Sequence, residues 1–381
     1  MRKLLLTAGL ATALTAAGAT NASAEISLLK NDKVEITTDG YIGLSATVSE
    51  YENDGKRTKD GASLAGGDNS GTNLDAAKVG LKVAGGNATG YVSAFWSGDN
   101  GSGVCVLDAY VSYGVGEFTF TAGKFLSYLG YESYYISSMD QLTYGAAVGI
   151  PSYHSGVKAD WSHTFGGKEG KNTLSVGLAI LDSLYGEDST GGDGEVSDIG
   201  IELCATYAFA EKFTVFAGIG YESGNDLLKT NTSWVLDVWG SYQVNKKLKL
   251  AAEITYYNKE SQSNSVKLTL QSGPYYQGVS SGFHYESTAF LLFAQVAFTE
   301  KISTVFRVGA TMHDNFVNHN VQWQATVAPT FTVNEFLRFR AELSYYTGGS
   351  QTFGQEWANS NGVFGSTRNG VFLGFQTVFS W

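Results

Sequence analysis

From about residue 34 to the end of the chain, apolar and polar positions alternate in runs of roughly ten. Leu248, Leu250, Ala252, Ile254 and Tyr256 interleave with Lys249, Glu253 and Thr255. The same rhythm recurs over 288–298 and 336–346, where Arg338, Arg340, Glu342 and Ser344 fill the polar positions. A period of two is the signature of a strand with one apolar and one wet face. A soluble sandwich gives the same alternation, but its strands average five or six residues. A tilted strand that crosses a bilayer needs about 9–11. Sixteen such runs can be placed: 34–48, 77–83, 89–96, 104–113, 117–122, 155–165, 173–181, 199–209, 213–221, 234–244, 248–257, 288–298, 302–312, 321–331, 336–346 and 371–381. Short turns and longer polar loops join them in strict alternation, the long loops including 50–74, 182–197, 258–286 and 347–369. Residues 266–270 are assigned to an overhanging strand rather than to a seventeenth crossing. The fold class predicted is therefore all-β: a transmembrane antiparallel up-and-down β-barrel of about 16 strands, with both termini on the short-turn rim. A barrel of that size leaves an aqueous lumen.

One connection breaks the pattern. After Gly123-Lys124-Phe125 the alternation stops, and residues 126–153 are rich in Ser, Tyr and Gly. Tyr128, Tyr131, Tyr134, Tyr135 and Tyr144 make this loop too aromatic to wave in solvent. It is expected to fold into the lumen and narrow it, carrying Glu132 and Asp140 to the constriction.

Alternation also assigns the interior charges. Lys78, Lys82, Lys158, Lys249, Arg307, Arg338 and Arg340 fall on the polar face, against Asp108, Asp160, Glu202, Asp237, Glu253 and Glu342. The near balance argues against a strongly anion-selective pore. Arg307, Arg338, Arg340, Lys249 and Asp108 are the candidate wall residues. Opposite Glu132 and Asp140 the arginines would set a transverse field; paired across strands, they would only solvate the lumen.

Composition narrows the class further. Residues 1–24 read as a signal peptide: Arg2-Lys3, an apolar stretch to about residue 19, then Ala22-Ser23-Ala24. The apolar stretch is short and Thr/Gly-rich, unlike an anchor. The mature barrel is expected over 25–381. No later apolar run approaches the roughly 18–20 residues of a spanning helix. Forty-seven Gly, 22 Tyr and 22 Phe against 3 Pro suit long strands with aromatic belts. Net charge is −11, and loss of Arg2 and Lys3 takes it to −13, which argues against nucleic acid. Alternation puts Cys105 on the outer face and Cys204 on the inner one, too far apart for a disulfide. No His has a convincing Ser or Asp partner and no His/Cys cluster has ligand spacing, so neither catalysis, metal nor cofactor is indicated.

Val371, Leu373, Phe375, Thr377, Phe379 and Trp381 share one face and end in an aromatic residue. This looks like the terminal strand that the outer-membrane insertion machinery recognises. The loop carries a second resemblance. Gly123-Lys124-Phe125, Leu129-Gly130-Tyr131-Glu132, Ile150-Pro151 and His154-Ser155-Gly156-Val157 resemble the OmpL-like family of β-barrel porins. Ser127-Tyr128 stands where that family carries Thr-Pro. The resemblance implies an outer-membrane porin, passing small hydrophilic solutes and ions by diffusion, with no catalytic residues. A homotrimer follows by analogy with other sixteen-stranded porins. The competing reading is a surface-binding or envelope-anchoring barrel with little transport.

Overall fold

The computed structural model describes residues 25–53, 56–64, 76–97, 104–143, 149–166, 172–184, 198–210, 212–224, 232–260, 265–269, 276–280, 284–315, 318–347 and 368–381. The stretch expected to be a signal peptide (1–24) and most of the expected long loops lie outside these residues. The described residues form twenty strands: β1 (Ile26–Lys30), β2 (Glu35–Asn53), β3 (Lys56–Leu64), β4 (Ala76–Gly85), β5 (Ala88–Ser97), β6 (Val104–Val115), β7 (Phe118–Leu126), β8 (Tyr153–Phe165), β9 (Asn172–Leu181), β10 (Asp198–Phe209), β11 (Phe213–Gly224), β12 (Thr232–Asn245), β13 (Leu248–Glu260), β14 (Ser265–Thr269), β15 (Tyr276–Ser280), β16 (His284–Ala297), β17 (Ile302–Asn315), β18 (Asn318–Thr332), β19 (Leu337–Thr347) and β20 (Arg368–Ser380).

Sixteen of them form a closed antiparallel wall. Closure occurs at β2, whose 35–43 half pairs with β4 and whose 41–53 half pairs with β20. The offset between the two registers is the stagger that a tilted barrel requires. Gly40 and Trp381 exchange both backbone hydrogen bonds, at 2.8 and 2.9 Å, and so end the β20 pairing. The edge of β2 left below that point is taken by β1, through Ile26↔Thr38 and Lys30↔Glu35. An unpaired edge is thereby covered.

The wall is polar inside and apolar outside. Outward Phe290, Leu292, Leu343, Phe375 and Phe379 are exposed, whereas inward Glu253, Arg307, Arg340 and Glu342 are buried. A water-soluble fold reverses this distribution; a wall facing lipid demands it.

Four departures from the alternation reading have local causes. Strand β2 continues to Asn53 and folds back through β3, so the stretch expected as loop begins as a hairpin. Strand β14 pairs with β15 as a separate two-stranded sheet, rather than overhanging the wall. Strand β1 occupies residues read as preceding the first strand. In all three, the strand is defined by backbone pairing, which side-chain alternation does not report. The fourth is a bulge between Val92 and Ala94, which sets Cys105 opposite Phe95, a residue packed against the interior cluster around Tyr41. Cys105 therefore shares the inner face, because a bulge reverses alternation beyond it. Cys105 and Cys204 are both free thiols.

Candidate pore constriction

The segment between β7 and β8 is fixed at both ends by glycine geometry. Gly123 has φ +130°, and a Cβ there would lie 2.1 Å from the Ala109 carbonyl oxygen. Gly149 has φ +67°, and its Cβ would lie 2.3 Å from the Tyr257 ring. Only glycine combines that conformation with so close an approach. The Ser127 amide donates to the Ser152 carbonyl at 2.8 Å, closing the base.

An irregular segment needs partners for its backbone groups. Inward side chains of distant strands supply them. Glu202 on β10 accepts from Ser127 Oγ (2.5 Å) and the Tyr128 amide (3.2 Å). Asp237 on β12 accepts from the Gly130 amide at 2.6 Å. Glu253 on β13 accepts from the Tyr131 amide at 2.8 Å. Glu342 on β19 accepts from the amides of Leu142 (2.5 Å) and Thr143 (3.0 Å), and from Thr143 Oγ1. Arginines serve the carbonyls: Arg307 Nη1 donates to Thr143 O at 2.7 Å, and Arg340 donates to Ile136 O at 3.0 Å and to Met139 O. Carboxylates thus take amides and guanidiniums take carbonyls, all charge-assisted bonds.

The apolar residues of the segment have an inner surface to meet. Phe216, Val235 and Trp239 join Leu129 and Ile150 in one buried cluster. Tyr131 packs on Trp239 and Phe293, with ring centroids 5.3 and 4.9 Å apart. Burying each large apolar side chain contributes about 1.5–3 kcal/mol, enough to hold the segment on β11, β12, β13 and β16.

The sequence-derived site residues fall as follows. Glu132 forms an ion pair with Arg307 at 2.6 Å, both side chains being closed from solvent. Glu132 also accepts from Gln141 Nε2. Asp140 accepts from Gln295 Nε2 at 3.2 Å and lies among Arg338, Arg340 and Lys249. Burial raises its carboxyl pKa above the ordinary range, and the three cations hold it back. Lys249 sits over the Tyr131 ring, 5.5 Å from its centroid. Arg338 reaches Ile136 O at 3.5 Å. Asp108 accepts from Ser93 Oγ (2.6 Å) and Tyr135 Oη (3.0 Å), with Lys78 Nζ at 3.7 Å. Arg307 and Arg340 therefore lie against the segment rather than facing water. The alternation reading counted Glu202, Asp237, Glu253 and Glu342 only as interior charges. Their role as acceptors for the segment was missed, because period-two patterning gives the face of a side chain and not its partner.

The geometry defines an outer-membrane β-barrel channel. Residues 62–380 match the family model described as "Putative beta-barrel porin-2, OmpL-like", and the chain belongs to that family. It is an outer-membrane porin. No curated protein matches it in sequence. Among solved structures, the fold is similar to the outer membrane channel DcaP of Acinetobacter baumannii (TM-score 0.61, 14% identity, covering 93% of this chain and 100% of that one). It is also similar to an anion-selective porin from Comamonas acidovorans (0.57, 14%, 92% and 100%). A third similar structure is the trimer form of in-vitro folded OmpT from Vibrio cholerae (0.54, 13%, 91% and 99%).

Proposed function

We propose that segment 127–152 sets the constriction of a passive diffusion channel for small hydrophilic solutes and ions. The observation that carries this reading is the ring of inward side chains, from β10 round to β19, that holds the backbone of residues 127–143. A segment fastened to so many strands is a fixed part of the bore. Glu132 and Asp140 are its acidic members, and Lys249, Arg338 and Asp108 belong to the wall around it. The reading is a channel rather than an enzyme. Single-channel conductance of the purified protein in planar bilayers, in graded salts and sugars, is the test. A steep loss of flux with solute size is expected, and absence of conductance overturns the reading. Replacing Arg338 and Arg340 by Gln is expected to move the reversal potential toward cations. An unchanged potential would leave those charges a purely mechanical role.

The similarity to a trimeric OmpT structure supports a homotrimer, checked by light scattering of the detergent-solubilised protein. The apolar face of β20 ending at Trp381 supports recognition by the outer-membrane insertion machinery. Deleting Trp381 is expected to lower the assembled fraction several-fold. Cleavage after Ala24 belongs to the same reading and is checked by the mass of the exported chain.

A further inference from the structure

Asp237 and Glu253 lie one diagonal step apart on the inner face of β12 and β13. Asp237 is opposite Thr255, and Glu253 is opposite Trp239. Each carboxyl gives one oxygen to the segment, Asp237 Oδ2 to the Gly130 amide and Glu253 Oε1 to the Tyr131 amide. The remaining oxygens, Asp237 Oδ1 and Glu253 Oε2, are buried and have no donor. Accepting from two successive amides of one segment brings the two carboxyls side by side. Their wall neighbours are Gly218 on β11 and Leu291 on β16, neither of which can supply a proton or a charge. On the segment, the Tyr131 ring packs on Trp239 and Phe293, and Glu132 is paired with Arg307 of β17. Glu202 of β10 is held by Ser127 and Tyr128, with His154 of β8 3.5 Å away. Lys249, on the same face of β13 nearer its start, sits over Tyr131. Among the described residues no ion pair involves Asp237 or Glu253.

Two acceptors cannot face each other in a dry wall unless a proton lies between them. We propose that Asp237 and Glu253 share one proton at neutral pH, and that this proton locks the segment at Gly130–Tyr131. With it, the pair carries one negative charge and accepts two successive amides. Without it, two adjacent anions repel in a low-dielectric site, and the amides must part from one carboxyl. Alkaline solution therefore loosens the constriction, whereas neutral solution holds it. The consequence for conduction rests on the reading of the segment as the constriction; the proton itself does not.

Amide variants separate the two. In Glu253→Gln, Nε2 donates to Asp237 and Oε1 still accepts from Tyr131, which makes the lock permanent; Asp237→Asn does the converse. Infrared spectra of the membrane-reconstituted protein should show a protonated-carboxyl band at neutral pH that is lost in both variants. Its absence from the wild type, or its persistence in both variants, overturns the shared proton. In bilayers the wild type should show frequent open-state fluctuations on going from neutral to alkaline pH, and Glu253→Gln should lose that response. A band that behaves as expected beside conductance that ignores pH overturns the lock but not the proton. Absence of any conductance refutes the channel reading instead.

Discussion

Arg307 Nη1 lies 2.6 Å from Glu132 Oε1, and the pair joins the middle of β17 to the segment between β7 and β8. Both side chains are excluded from water, Arg307 completely. Removing one partner of such a pair strands the other charge, at a cost of about 3–5 kcal/mol. Arg307→Ala should therefore release the segment near Glu132 and Thr143. The wall should still assemble, because its strand pairing does not involve this side chain. The expected result is higher single-channel conductance together with protease cleavage within 127–143. Arg307→Met combined with Glu132→Gln should recover most of the protection, since a neutral pair leaves no orphan charge.

Asp140 should give the selectivity a pH dependence. Burial raises its carboxyl pKa, against the pull of Arg338, Arg340 and Lys249. It therefore takes up its proton at a higher pH than the roughly 3.9 of an exposed aspartate. Acidification removes the charge of a carboxylate that lies among three cations, so anion preference should grow. Asp140→Asn should show the acid-side selectivity at every pH. For stability the sign runs the same way: the folded state holds this proton more tightly than the unfolded chain. Its contribution is full below the ordinary carboxylate pKa and is lost as pH rises through the folded value. Reversal potentials in a salt gradient across a pH series test this, and a flat series for the wild type contradicts it.

Gly149 admits a test of how far backbone strain fixes the segment. An alanine there must adopt φ +67°, costing about 1–2 kcal/mol, and must press its Cβ on the Tyr257 ring. Overpacking of that kind adds about 1–3 kcal/mol. Gly149→Ala should lower the unfolding free energy by the sum, read from denaturant titrations. Gly149→Ala in a Tyr257→Ala background should show only the smaller, conformational part. A double-mutant cycle with no coupling between the two positions would refute the contact.

These tests also mark where the sequence was readable. The wall was, because lipid outside and water inside impose opposite demands on successive residues. Leu248 to Tyr257 and Leu337 to Tyr346 show it without interruption. Patterning missed β1, β3 and the β14–β15 hairpin, which are recognised by their backbone pairing. It failed again at Cys105, where one bulge inverted the phase. Within the site, the charged residues were visible one by one. That Glu342 would accept the Leu142 and Thr143 amides, two hundred residues away along the chain, was not visible. Nor was the inner apolar strip anticipated as a seat for the segment, although Phe216, Trp239 and Phe293 all stand at inward positions.

The lipid-facing surface makes the last prediction. Leu292 is 61% exposed, midway along β16, while its neighbour Leu291 is 1% exposed on the inner side. Solvent exposure of that size on a regular apolar position means contact with acyl chains in the membrane. Arginine at the midplane of a barrel wall costs about 2–4 kcal/mol. Leu292→Arg should thus shift the folding equilibrium in lipid vesicles by roughly two orders of magnitude. The inward Gln295→Arg, next to Asp140, should change it little and move ion selectivity instead. Denaturant titrations of both variants in the same vesicles compare the two faces directly. Equal destabilisation would mean that the wall does not separate lipid from water at this strand.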